Sequence, residues 1–280
     1  MFSVFKDAFK IVNYNLLLTI PLIIFVKIFD LYTTYVGVDS NLKLLVASFT
    51  VMLMFSVFCA GWFYMVKGAV DLSKKVFILD SDRAKASMQL FKSFLEGVGK
   101  FFIPFIGVYI IFFFIQLSFT ILTLLIGVHL IGAPDAASMQ TLQEIAANGN
   151  NSAAISDFVN NISPELISFF GKWSLLFIAV TSILFYLLMF WAPEILNLTS
   201  NPLTALYNSW KRMFKNFLPT LGLYVILWLI GFVLLFMNTF STINPFVYLF
   251  MNLIIFYFQV FFAVVIFLYY DKKLMESDEE

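Results

Sequence analysis

The chain has 280 residues, 61% of them hydrophobic and 12% charged, with a mean hydropathy of +0.93. A soluble domain is nearer about 45–50% apolar and about 25% charged, so this composition excludes a soluble globular protein and puts the excess apolar surface against lipid. The 17 basic and 17 acidic residues cancel, which suggests no nucleic-acid partner, and the single cysteine, Cys59, excludes a disulfide framework or a cysteine metal cluster.

Residues 2–15 form a short amphipathic basic segment. Phe2, Phe5, Phe9 and Val12 fall on one helical stripe, with Lys6 and Lys10 off it. An apolar run over 16–36 follows, with no small-residue cleavage site after it, and reads as an uncleaved first span. It contains Lys27 and Asp30, three residues apart and able to pair on one face. The second span covers 44–66.

A second amphipathic segment covers 84–100, with Met88, Phe91, Leu95 and Val98 on its stripe and Lys85 and Lys92 elsewhere. It leads into a third span over 104–130, which carries Gln116. Residues 131–171 hold four acids and no basic residue, and read as an extracytoplasmic segment of short amphipathic helices. Within it, Ser163-Pro164-Glu165 has the order of an N-cap, a proline at the first helical position and an acid in the first turn.

The fourth span covers 173–192, and Glu194 after it is expected to cap a helix or pair with a basic residue. The third amphipathic segment, 203–217, repeats the pattern with Leu203, Leu206, Trp210 and Met213 against Lys211 and Lys215. Spans five and six cover 219–240 and 246–270, and 271–280 is an acidic cytoplasmic tail. The expected fold is an all-α polytopic membrane protein: one integral membrane domain over 1–280 with about six transmembrane helices.

Orientation follows from the basic residues. The N-terminal segment, the stretches between spans two and three and between four and five, and the tail hold 14 of the 17. The positive-inside rule then places both termini in the cytoplasm. The three amphipathic segments should lie in the cytoplasmic interface, with Lys6, Lys10, Lys85, Lys92, Lys211 and Lys215 toward anionic headgroups. Each precedes a proline near the start of a span, at Pro21, Pro104 and Pro219. This pattern fits three repeated amphipathic-helix plus hairpin units, or interfacial helices that simply anchor the spans.

For chemistry, Lys27, Asp30, Gln116 and Gln259 are the candidate binding residues. A buried ionisable side chain costs about 2.5–3.5 kcal/mol at the bilayer centre, which marks Lys27 and Asp30 as a possible site, with snorkelling to the headgroups as the alternative. Gln116, Asn238, Asn252 and Gln259 read as hydrogen-bonding glue between helices or as a polar path. The single His129 and the acid spacing suggest no metal site, and no nucleotide or hydrolase motif is present, so no cofactor is expected.

Three stretches carry a resemblance: Gly61-Trp62-Phe63-Tyr64-Met65-Val66-Lys67-Gly68; Ala205-Leu206-Tyr207-Asn208-Ser209-Trp210-Lys211 with Phe217-Leu218-Pro219; and Phe267-Leu268-Tyr269-Tyr270-Asp271-Lys272-Lys273. They resemble bacterial six-helix membrane proteins of the YciC-like kind, and the membrane domain joined to some glycerophosphodiester phosphodiesterases. The resemblance implies a bacterial inner membrane and no settled activity. The chain carries no phosphodiesterase domain, so that activity is not expected. The expected role is non-enzymatic: handling lipids or amphiphiles, or scaffolding, with membrane lipids and other membrane proteins as partners. The alternative is a secondary transporter or channel with a polar path near Lys27 and Asp30.

Overall fold

The computed structural model describes residues 1–36, 40–77, 80–133, 164–239 and 244–275. All regular structure among the described residues is helical. Lipid-exposed backbone must satisfy its own hydrogen bonds, and a helix does this within one segment. The helices are α1 (Phe2–Tyr14), α2 (Thr19–Tyr35), α3 (Asn41–Ser73), α4 (Asp80–Leu130), α5 (Pro164–Leu188), α6 (Trp191–Asn197), α7 (Pro202–Lys215), α8 (Phe217–Asn238) and α9 (Pro245–Tyr269). Among the described residues, six helical segments are long and apolar enough to cross a membrane: Leu16–Tyr35, Asn41–Ser73, Ser81–Leu130, Pro164–Asn197, Phe217–Asn238 and Pro245–Met275. The expected all-α, six-span fold is what the chain adopts.

Asparagines punctuate it. Asn201 and Asn244 are N-caps, each followed by proline at the first helical position; Asn201 Oδ1 accepts from the Leu203 amide at 3.0 Å and Asn244 Oδ1 from the Phe246 amide at 2.8 Å. Asn15 and Asn216 end α1 and α7 in nearly the same conformation (φ/ψ −128°/45° and −115°/41°). Each turns its side-chain amide back to the carbonyl four residues earlier, Ile11 at 2.8 Å and Arg212 at 3.3 Å. After Asn15 a short 3₁₀ turn, Leu16–Leu18, leads into α2, and the Trp62 indole of α3 donates to its Leu18 carbonyl at 2.9 Å.

Several elements differ from expectation. The second amphipathic segment is not a separate helix, because α4 runs unbroken through Pro104. In the register of the repeat, Asn15 and Asn216 each stand three residues after the last stripe residue, and the matching position in α4 is Phe101. A phenylalanine has no side-chain amide to offer the backbone a competing bond, so the helix continues. The helix starting at Pro164, with Glu165 in its first turn, is not a short surface helix but the beginning of α5, which absorbs the fourth span and ends at Leu188. The short turn before α6 precedes Pro193, which has no N–H to continue the helix. α3 continues past Val66 to Ser73, where Ala69 and Val70 are buried. The helices expected between 134 and 163, and the acidic residues 276–280, lie outside the described residues.

The chain divides into two compact units: Met1–Ile111 with Leu187–Glu280, and Phe112–Tyr186. In the first, α9 is the hub, contacting α1, α2, α3 and α8. α1 lies along its C-terminal half, with the Phe9 and Phe261 rings 4.3 Å apart and Tyr257 donating to Asn13 Oδ1 at 2.8 Å. In the second unit α4 and α5 supply the apolar residues, and Gly127 of α4 lies against the Trp173 ring of α5.

Candidate functional site: a basic cavity beside an apolar groove

In the first unit α1, the end of α3, the start of α4 and the end of α9 enclose a cavity of about 360 Å³. Its walls carry Asp7, Lys10, Tyr14, Lys74, Arg83 and Lys272, four cations against one carboxylate. Asp7 is taken by Lys272 at 2.8 Å. That bond holds the Asp7 carboxyl below its ordinary range, with Lys10 and Lys6 adding to the effect and partial burial opposing it. Lys74 bonds Asp271 at 2.7 Å and Asp71 at 3.3 Å. Burial would lower the Lys74 pKa, but these two carboxylates outweigh it and raise it.

Arg83 is held differently. Its guanidinium carbon sits 3.8 Å above the centroid of the Tyr14 ring and 5.8 Å from that of Phe77. Stacking of this kind fixes the plane of the guanidinium while leaving the N–H edge unused. Below it, Ser87 donates to Asn15 Oδ1 at 2.8 Å, a buried bond that ties α4 to the α1 break.

A second, apolar groove of about 580 Å³ lies between α2, α3 and α4, walled by residues such as Pro21, Phe25, Val57, Phe58, Phe91 and Phe94. The two share the same stretch of α4: Arg83 and Ser87 face the cavity, and Phe91 and Phe94 face the groove. Ser87 and Phe91 are one turn apart, about 6 Å along the axis. Both volumes fall in the range of about 300–1,000 Å³ usual for small-molecule sites.

The sequence-predicted residues fall elsewhere. Lys27 and Asp30 do pair, at 3.4 Å, but on an exposed face of α2 with side chains 61% and 57% accessible. Gln259 on α9 is also exposed, and neither it nor the Lys27–Asp30 pair lines the cavity or the groove. Gln116 is exposed and belongs to the second unit. Asn252, expected as glue between helices, bonds the Tyr248 carbonyl of its own helix at 2.8 Å. The six lysines Lys6, Lys10, Lys85, Lys92, Lys211 and Lys215 are all exposed. Of these, Lys10 also lines the cavity.

A buried polar cluster was only partly legible. Glu194 is fully buried; Tyr270, also fully buried, donates to its Oε2, and Arg212 Nε stands 3.4 Å from the same atom. Arg212 also donates to the Leu274 carbonyl at 3.3 Å. The expectation that Glu194 pairs with a basic residue matches this geometry, while its complete burial and Tyr270 carried no sequence signal. No protein-family model, curated protein or solved structure matches the chain.

Proposed function

We propose that this chain is a multi-pass protein of a bacterial cytoplasmic membrane, with both termini inside, that holds lipids or related amphiphiles without covalent chemistry. The observation that carries the reading is the junction on α4, where one helical face passes within a turn from Arg83 and Ser87 to Phe91 and Phe94. An amphiphile needs two adjoining environments, one charged and one apolar, and this face supplies both. The exposed apolar residues Met88 and Leu95 on the same segment suit a helix seated at the interface. The resemblance to YciC-like proteins agrees with this placement in the membrane.

Native mass spectrometry of protein gently extracted in mild detergent tests the proposal. The wild type should retain a defined amphiphile at a fixed stoichiometry. Val57→Trp, which fills the groove, should lose it. Only bulk lipid in both samples would sink the reading in favour of a scaffold.

A further inference from the structure

We propose that the cavity between α1, α3, α4 and α9 binds the phosphate of an anionic phospholipid headgroup, with Arg83 and Lys10 as its charged contacts. This rests on the amphiphile-holding reading above and names the ligand class.

Two of the cations lining the cavity are already paired. Lys272 is occupied by Asp7, and Lys74 by Asp271 and Asp71. Among the described residues, neither Lys10 nor Arg83 forms an ion pair, Lys10 acting on Asp7 only through its field, and the guanidinium of Arg83 makes no hydrogen bond. Four cations lining one cavity with a single carboxylate leave an excess of positive charge there that an entering anion would offset. Phosphate fits Arg83 and Lys10 by geometry as well as by charge. A guanidinium donates two parallel N–H bonds to a planar or tetrahedral oxyanion, and an ammonium adds a point charge from the side. Tyr14 beneath Arg83 fixes the orientation of the fork before the ligand arrives, which reduces the ordering cost of binding.

Position favours a lipid over a free phosphate ester. Arg83 lies on the α4 face that continues into the apolar groove at Phe91 and Phe94, so acyl chains would extend there from a headgroup held at Arg83. Asp7 also faces the cavity, and its charge is offset by Lys272 and by Lys10 one helical turn away.

The test uses the full-length protein in nanodiscs. Retention of phosphatidylglycerol is compared with that of diacylglycerol, which lacks the phosphate, and with binding of soluble glycerol 3-phosphate. The wild type should prefer phosphatidylglycerol to diacylglycerol by about tenfold, and Arg83→Gln should remove that preference. Arg83→Lys keeps the charge without the fork and should restore part of it. Lys92→Gln, an exposed lysine outside the cavity, should leave it unchanged. The inference is overturned if Arg83→Gln binds within twofold of wild type, or if Lys92→Gln weakens binding equally, which would mean general surface charge. Glycerol 3-phosphate binding as tightly as the lipid, with no effect of Val57→Trp, would overturn the lipid assignment in favour of a free phosphate ester. If Val57→Trp releases lipid while Arg83→Gln does not, the headgroup assignment fails and the amphiphile-holding reading stands. If neither variant changes retention, both fail.

Discussion

Glu194 shows how a charge survives in the packed interior. Two groups of different kinds meet one of its oxygens: the Tyr270 hydroxyl, a neutral donor, and the Arg212 guanidinium, a full counter-charge. Among the described residues its other oxygen has no partner. Taking away one member of a buried ion pair leaves the other uncompensated, which typically costs about 3–5 kcal/mol. Arg212→Met should therefore lower the unfolding free energy by about that amount in detergent-based thermal or denaturant unfolding. Tyr270→Phe removes only a neutral donor and should cost less, about 1–3 kcal/mol. An equal effect of the two variants would show that the guanidinium is not the main counter-charge. Lys27 and Asp30 make the contrast. Their spacing correctly announced a pair, but an exposed pair contributes only about 0–1 kcal/mol. Spacing within a helix reveals who can meet; it is silent on whether the meeting is buried.

At the scale of elements, the three amphipathic segments share a sequence rhythm but not one structure. Their expected stripes overlap their buried faces only in part, at Val12, Leu206 and Met213. In α1 the buried residues are Val4, Ala8, Ile11 and Val12, while Phe2 is 95% exposed; in α7 they are Ala205, Leu206, Ser209 and Met213, while Leu203 is 63% exposed. Small residues, Ala8, Ala205 and Ser209, are among those that face protein, where close approach favours small side chains, while the large apolar Phe2 and Leu203 stay exposed. The same demand explains the glycines where α3 meets α4. A Cβ on Gly97 would stand 2.5 Å from Tyr64 Cβ and 2.6 Å from the Ala60 carbonyl oxygen, and one on Gly61 would meet the Phe94 ring at 2.7 Å. Gly97→Ala forces backbone apart and should destabilise by about 1–3 kcal/mol. Because Phe94 walls the groove, the variant should also weaken lipid retention; an unchanged melting temperature would contradict the close approach of α3 and α4 at Gly97.

At the scale of the molecule, the first unit gathers all three segments around the C-terminal end of α9. Lys272 reaches Asp7 of α1, Arg212 of α7 reaches the Leu274 carbonyl, and Ser87 of α4 bonds Asn15 at the end of α1. Two of the basic residues used for orientation, Lys272 and Arg212, thus find their acceptors at this end of the unit. Reporter fusions should find both termini, and the loop after α3, on the cytoplasmic side. An external reporter at either end would overturn the orientation.

Hydropathy and length determined the helical class and the six spans, since a bilayer of fixed thickness and a backbone that must bond to itself leave few other solutions. The Asn-Pro pairs at 201–202 and 244–245 also carry their helix starts in the residues themselves. The site was decided only by the tertiary fold. Arg83 is one basic residue among several between spans two and three, and Tyr14 is one aromatic among many. Nothing local links them across 69 positions until α1 and α4 pack together and place the guanidinium on the ring. The cavity and groove arise from side chains of four and three helices respectively. Periodicity gives the face a residue occupies on its own helix, whereas a binding site depends on which faces of different helices are brought together.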